Sequence, residues 1–258
     1  MTSSAASRPR PRRFATTRWS LIQQATQGER SSRSRGSGGA LSGLLAYWLT
    51  GFRFMRLCVY AFMRRQTRDV HEAQDWTQGF LASLLSRDSF AQLSPERGRF
   101  RSFLLAAARH FSSNERDKKN AVVRGGQIVL QSLDYEHGEQ RLARELATTA
   151  TAERLFERQW AHAVLDGVLQ QLREEYYSTE RHALFDALVG HLGGVANEGS
   201  LTVSAETLQM SAEAIRVSLH RLRKRYRALL RNEISQTTNT PAEVDDEIRH
   251  LFLTLAPR

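Results

Sequence analysis

Apolar residues recur at intervals of three and four positions along most of this chain, and that spacing limits what the chain can fold into. An α-helix returns a side chain to the same face about every 3.6 residues, whereas a half-buried strand alternates with a period of two. Helical spacing is clearest over Phe100–Phe111, and it also marks residues 70–85, 152–168, 183–188 and 201–226. Alternation typical of strands is nearly absent. The sequence therefore predicts an all-α fold.

Stretches without helical spacing divide the chain into regions. Residues 31–39 read SSRSRGSGG, a low-complexity run of the kind that stays flexible. Residues 127–150 show no long period and follow the pair Gly125-Gly126. We therefore predict two helical domains joined by a flexible linker. In chain order the regions are a basic, flexible N-terminal arm, 1–40; a first helical domain, 41–119; the linker, 120–151; a second helical domain, 152–233; and a C-terminal extension with a short helix, 234–258.

The charge of the chain favours an anionic partner. Its 258 residues include 37 Lys and Arg against 27 Asp and Glu, a net charge of +10. Such a balance suits nucleic acid or an acidic membrane surface. No apolar run reaches the roughly 18 residues that a spanning helix needs, so we expect no membrane insertion. The single cysteine, Cys58, cannot form an internal disulfide, and this favours a reducing, cytoplasmic location.

The strongest local feature is a basic segment, residues 211–231, which reads SAEAIRVSLHRLRKRYRALLR. Four apolar residues in it share one helical face, and Ser211 is a good N-cap. From residue 214 onward the segment holds no acid, so no salt bridge within the helix can offset the repulsion among its cations. The simplest interpretation of a charged helix is a solvated face, but charge of one sign favours a polyanion partner. The apolar residues are Ile215, Leu219, Leu222 and Tyr226.

A short helix around residues 201–208 precedes this segment, and the pair is typical of a helix-turn-helix. In that motif the first residues of the second helix meet base edges, and its basic flanks meet phosphates. Basic amphipathic helices also bind membranes or calmodulin-like proteins, but the narrow apolar stripe here is needed to pack the domain. The base-facing candidates are Ala212, Glu213, Arg216, Val217 and His220, and the backbone-facing candidates are Arg221, Arg223, Lys224 and Arg227.

Three segments together resemble a known family. TLQMSAEAIRVSLHRLRKRYRALLRNEI is similar to the helix-turn-helix of domain four in bacterial RNA polymerase sigma factors of the extracytoplasmic-function (ECF) type, in the sigma-70 family. HEAQDWTQGFLASLL and GRFRSFLLAAARHFSSNERDKK resemble successive helices of domain two. The early TTRWSLI and the late TPAEVDDEIRHLFLTL also look like a subgroup of these factors with a longer chain.

The resemblance implies an alternative sigma factor that binds core RNA polymerase and directs promoter-specific transcription initiation. The first domain would be sigma domain two, which binds the β′ clamp coiled coil and the −10 element. The second would be sigma domain four, which binds the β flap and the −35 element. An anti-sigma factor or another regulator is a possible further partner. By resemblance the polymerase-binding residues are Glu72, Asp75 and Gln78, and the −10 residues are Arg109, His110, Asn114, Arg116, Lys118 and Lys119.

Three residues depart from the pattern of the family. Gly79 stands where the family usually has Glu, Gln209 replaces the common glycine of the turn, and Ser204 occupies a usually apolar site. These departures bear on promoter strength more than on the fold.

Nothing in the sequence indicates catalysis. The histidines show no HxxxH or HExxH spacing, one cysteine excludes a cysteine-rich zinc site, and no P-loop is present. We therefore expect no catalytic residues, metal or cofactor. Two alternatives stay open, a stand-alone helix-turn-helix regulator and a general polyanion-binding protein. Six aromatic residues fall on apolar faces and are expected in the core: Trp76, Phe80, Phe100, Phe103, Phe111 and Trp160.

Overall fold

The computed structural model describes residues 55–67, 69–85, 99–121, 142, 145–194, 198–238 and 240–256, and these residues contain helices and no strand. The predicted all-α fold is therefore confirmed for this part of the chain. The arm, the segment TTRWSLI and most of the linker lie outside the described residues, so the predictions made for them stay predictions. Residues 55–66 are helical, and the described residues after them include seven α-helices and one 3-10 turn. Their bounds are α1, Val70–Leu85; α2, Phe100–Ala121; α3, Ala152–Tyr177; α4, His182–Leu188; the 3-10 turn, Val189–His191; α5, Glu198–Thr207; α6, Ala212–Ser235; and α7, Pro241–Leu255.

Helix α1 spans the predicted residues because its start is determined locally. The Oδ1 atom of Asp69 accepts hydrogen bonds from the backbone N–H groups of His71, at 2.7 Å, and Glu72, at 3.3 Å. This is the side-chain cap that a helix N-terminus requires. The same bonds, from Glu72 and then His71, hold the pKa of Asp69 below its usual range.

Helix α2 runs ten residues past the predicted apolar face and includes the polar run after Phe111. Ser112 is buried, and its hydroxyl donates to the carbonyl of Arg109 at 2.9 Å. Lys118 pairs with Glu115 at 2.7 Å, an i,i+3 contact of the kind that supports an exposed helix. Helical hydrogen bonding therefore continues where apolar spacing stops.

Aromatic side chains form much of the core around α1, α2 and the first half of α3. The rings of Phe80 and Phe111 meet edge to face with centroids 5.7 Å apart, and those of Phe100 and Trp160 lie 6.2 Å apart. Both distances are within the range of favourable ring contacts. Four of the six predicted core aromatics are buried, while Phe103 and Phe111 are half-buried.

The described residues fall into two compact units. One contains residues 165–194 and 198–232, and the other contains the described residues up to 164 together with 233–256. The sequence had placed residues 152–233 in one domain. The grouping differs because the first half of α3 packs its rings against the start of α2.

The C-terminal extension, predicted to hold a short helix, contains α7. Thr240 is its N-cap and accepts a hydrogen bond from the N–H of Glu243 at 3.2 Å, and Pro241 occupies the first turn. Both features favour a helix start at this point. Val244, Glu247 and Leu251 form its buried face.

A partly buried group of charges, which we call the C-terminal ion cluster, joins α7 to α2 and α3. It consists of Arg99, Arg101, Glu157, Glu247 and His250. Arg101 Nε lies 2.7 Å from Glu247 Oε1, and Arg99 Nη1 lies 3.0 Å from Glu247 Oε2. Arg101 also pairs with Glu157, whose other oxygen lies 3.0 Å from His250 Nε2. The side chains of Arg101 and Glu247 are only 8% and 3% exposed, so each is held by the charge of the other.

Candidate nucleic-acid interface

Helices α5 and α6 are joined by a tight turn whose backbone bonds are satisfied. The N–H of Met210 donates to the carbonyl of Ala205 at 3.0 Å, and the N–H of Gln209 donates to Glu206 at 3.2 Å. Ser211 then caps α6 by accepting from the N–H of Ala214 at 3.2 Å. The predicted N-cap is confirmed, and the segment has the helix, turn and helix that the sequence predicted.

Gln209 carries the conformational strain of this turn. Its φ of 52° lies in the left-handed region, which glycine adopts without a Cβ penalty. We predict that Gln209→Gly raises the free energy of unfolding by about 0.5–1 kcal/mol, because glycine removes the backbone strain at this position. Part of that gain is lost, since glycine also has greater conformational freedom in the unfolded chain. Urea unfolding followed by circular dichroism measures the change. Gln209→Ala, which keeps a Cβ, should give no such gain, and an equal gain for both variants would refute the strain.

Ser204, on α5, is buried at a position where the resembling family is apolar. Its hydroxyl lies 3.1 Å from the carbonyl oxygen of Ser200 and 3.4 Å from that of Ala187. A buried hydroxyl with a partner is tolerated in a core, so this departure does not disturb the packing of the turn.

One face of α6 is buried, as predicted. Ile215, Leu219 and Leu222 are at most 4% exposed, and Tyr226 is half-buried with its hydroxyl 3.4 Å from the carbonyl oxygen of Leu165. Burial, with a smaller contribution from Asp166, raises the pKa of Tyr226 to about 12. The apolar seam therefore packs α6 into its own unit. The exposed side chains of the predicted interface are Ala212, Glu213, Arg216, Val217, His220, Arg221, Lys224 and Arg227.

Arg223, a predicted phosphate contact, makes hydrogen bonds within its own unit. Its guanidinium donates to the carbonyl of His191 at 2.6 and 3.1 Å, and to that of Gly194 at 2.9 Å. These carbonyls belong to the last residue of the 3-10 turn and to a residue just beyond it, where backbone acceptors lack partners within a helix. Arg223 is therefore used within the unit as a C-terminal cap.

Acidic side chains balance some of the charge of α6, two of them from other helices and one, Glu213, from its own first turn. Arg225 makes a two-pronged contact with Glu175 on α3, at 2.6 and 2.7 Å. Arg216 lies 3.7 Å from Glu198 at the start of α5 and 3.9 Å from Glu213. The repulsion among the cations of α6 is thus weaker than the sequence of the basic segment predicts.

Two residues predicted for different partners contact each other. Lys119, at the end of α2, lies 2.7 Å from Glu72 Oε1, and the hydroxyl of Thr67 donates to the other oxygen of Glu72. Burial opposes ionisation of Glu72, but these bonds outweigh it and hold its pKa below the usual value. Of the other predicted polymerase-binding residues, Asp75 is exposed and Gln78 is half-buried.

The remaining −10 candidates are exposed and lie from the middle of α2 onward. Arg109 pairs with Glu153 on α3 at 3.1 Å, and Arg116 donates to the carbonyl of Ser112 at 3.3 Å. The exposed members of the set are Arg109, His110, Asn114, Arg116, Lys118 and Lys119. The helix therefore brings all six to one end of α2 at the surface.

Gly79 lies where α1 packs closely against α2. A Cβ at this position of α1 would lie 3.2 Å from Cζ of Phe111, closer than ordinary van der Waals contact. A larger residue would require the Phe111 ring to shift, and that ring also contacts Phe80. The approach of α1 and α2 therefore leaves little room for a Cβ at position 79.

The described residues contain neither a candidate metal site nor a helix suited to crossing a membrane. No group of three or more His, Cys, Asp or Glu side chains there could hold a metal ion. No helix in the described ranges is long and apolar enough to cross a membrane.

Cys58 is buried, and burial raises the pKa of its thiol.

Comparisons with protein-family models, with curated proteins and with solved structures give no match to this chain.

Proposed function

We propose that the protein is an alternative sigma factor of the ECF type, which binds core RNA polymerase and directs it to promoters without catalysing a reaction itself. The observation that carries the proposal is the exposed face of α6, which is cationic and lies opposite a buried apolar seam behind a tight turn. That arrangement leaves one helix of the unit available to a major groove. We place the protein in the cytoplasm, where core polymerase acts.

The order of side chains along α6 supports reading of bases rather than charge alone. The exposed residues of the first turns have mixed chemistry, with Glu213, Arg216, Val217 and His220. The later turns expose cations, among them Lys224. A general polyanion-binding helix has no use for a carboxylate and a valine at one end. A groove-reading helix needs varied groups at its N-terminal end and phosphate contacts beyond it.

For polymerase binding, Asp75 is the best candidate of the three predicted residues. It is exposed on α1, whereas Glu72 is held by Thr67 and Lys119. We therefore infer that Asp75 supplies the acidic edge and that Glu72 orients the start of α1 and the end of α2.

The proposal is tested by in vitro transcription with core polymerase on a library of genomic promoters. We expect the full chain to direct initiation from a defined subset of promoters. Asp75→Lys should reduce co-purification with core polymerase at least tenfold while leaving the circular dichroism spectrum unchanged. Asp117→Lys makes the same charge change at an exposed position of α2 and should retain binding.

The possible outcomes separate the alternatives. Undiminished polymerase binding by Asp75→Lys contradicts the assignment of that residue. Sequence-selective DNA binding without initiation supports a stand-alone helix-turn-helix regulator. Equal affinity for all DNA supports a general polyanion-binding protein.

A further inference from the structure

Val217 is an apolar side chain placed in a charged surface. It is 39% exposed, in the second turn of α6, on the side opposite the buried seam. Arg216 precedes it, and His220 and Arg221 lie about one turn beyond it; all three are exposed. Its neighbours on the exposed face of α6 are thus polar or charged.

The packing of the unit does not account for this valine. Ile215, Leu219 and Leu222 already fill the seam and are nearly fully buried. Valine is also a poorer helix former than alanine or the long polar residues, because its branched Cβ restricts rotation within a helix. A solvated position in α6 would be occupied more favourably by another residue type.

The major groove contains one apolar group on a base edge, the C5 methyl of thymine, and small apolar side chains contact it. A valine in the second turn of a groove-reading helix has the right size and place for that contact. We propose that Val217 is a specificity-determining residue that recognises a thymine methyl in the DNA element bound by α6. This inference rests on the proposed function, and it adds a base preference that the resemblance does not supply.

The test isolates the methyl group. A duplex site is first selected from a random pool by the full chain with core polymerase. Each thymine of the selected site is then replaced, one at a time, by uracil, which lacks only the C5 methyl. We expect one uracil substitution to weaken binding about fourfold, the effect of one buried methyl-sized group.

Two valine variants complete the test. Val217→Ala should bind the thymine and uracil duplexes equally, and the change lies opposite the buried seam of α6. Val203→Ala is the matched control, since Val203 is 61% exposed on α5 and outside the proposed groove-reading face. It should keep the fourfold preference for thymine.

The results distinguish this inference from the proposed function. If the selected site is bound selectively but no uracil substitution weakens binding, the role of Val217 is overturned and the proposed function stands. If Val217→Ala keeps the full preference for thymine, the role of Val217 is likewise overturned. If no site is selected over random DNA, both the proposed function and this inference are overturned.

Discussion

Replacing Glu247 with alanine is expected to lower the free energy of unfolding by about 3–5 kcal/mol, because the change leaves buried Arg101 without its main counter-charge. Glu247 is 3% exposed and accepts hydrogen bonds from both Arg99 and Arg101. Burial opposes the charged form of Arg101, but the bonds to Glu247 outweigh it and raise the pKa of the guanidinium. Urea unfolding of the full chain, followed by circular dichroism, measures the loss.

Asp246→Ala is the matched control for this prediction. Asp246 is adjacent to Glu247 but 55% exposed, and its nearest cations are Arg249 at 2.8 Å and Arg99 at 3.7 Å. Exposed pairs of this kind contribute about 0–1 kcal/mol. A similar, small loss for both variants would show that α7 is not held by the C-terminal ion cluster.

Replacing Arg223 with glutamine is expected to lower the free energy of unfolding by about 1.5–3 kcal/mol, the range for hydrogen bonds made by a charged group. The glutamine amide cannot reproduce the three bonds to His191 and Gly194. Lys224→Gln, at the next and exposed position, should change stability by less than about 0.5 kcal/mol.

The salt dependence of DNA binding should separate the same two variants in the opposite way: Lys224→Gln should change it and Arg223→Gln should not. Under the proposed function, Lys224→Gln removes a phosphate contact and reduces the slope of log affinity against log salt by about 0.9. Arg223→Gln should leave that slope unchanged, because its guanidinium is used within the unit. A reduced slope for Arg223→Gln would return this residue to the phosphate-binding set.

Local bonds fix where two helices begin, and of their two caps only Ser211 was predicted. Asp69 caps α1 and Ser211 caps α6 through bonds to backbone groups only two or three residues away. The end of α2 did not follow from apolar spacing, although the segment that resembles a domain-two helix extends to Lys119. The run after Phe111 has no apolar period, and its helix is supported by short-range polar contacts such as Lys118 with Glu115.

The sequence by itself determined the helical class of the described regions and the buried seam of α6, because both follow from spacing along one element. Only the tertiary structure decided which charges are available at the surface. Arg101 meets Glu247, 146 positions along the chain, and Arg225 meets Glu175, 50 positions away. No local pattern encodes such pairs, since each depends on which helix packs opposite. The sequence could therefore identify α6 as cationic. It could not show that Arg223 is used as a cap while Lys224 is exposed.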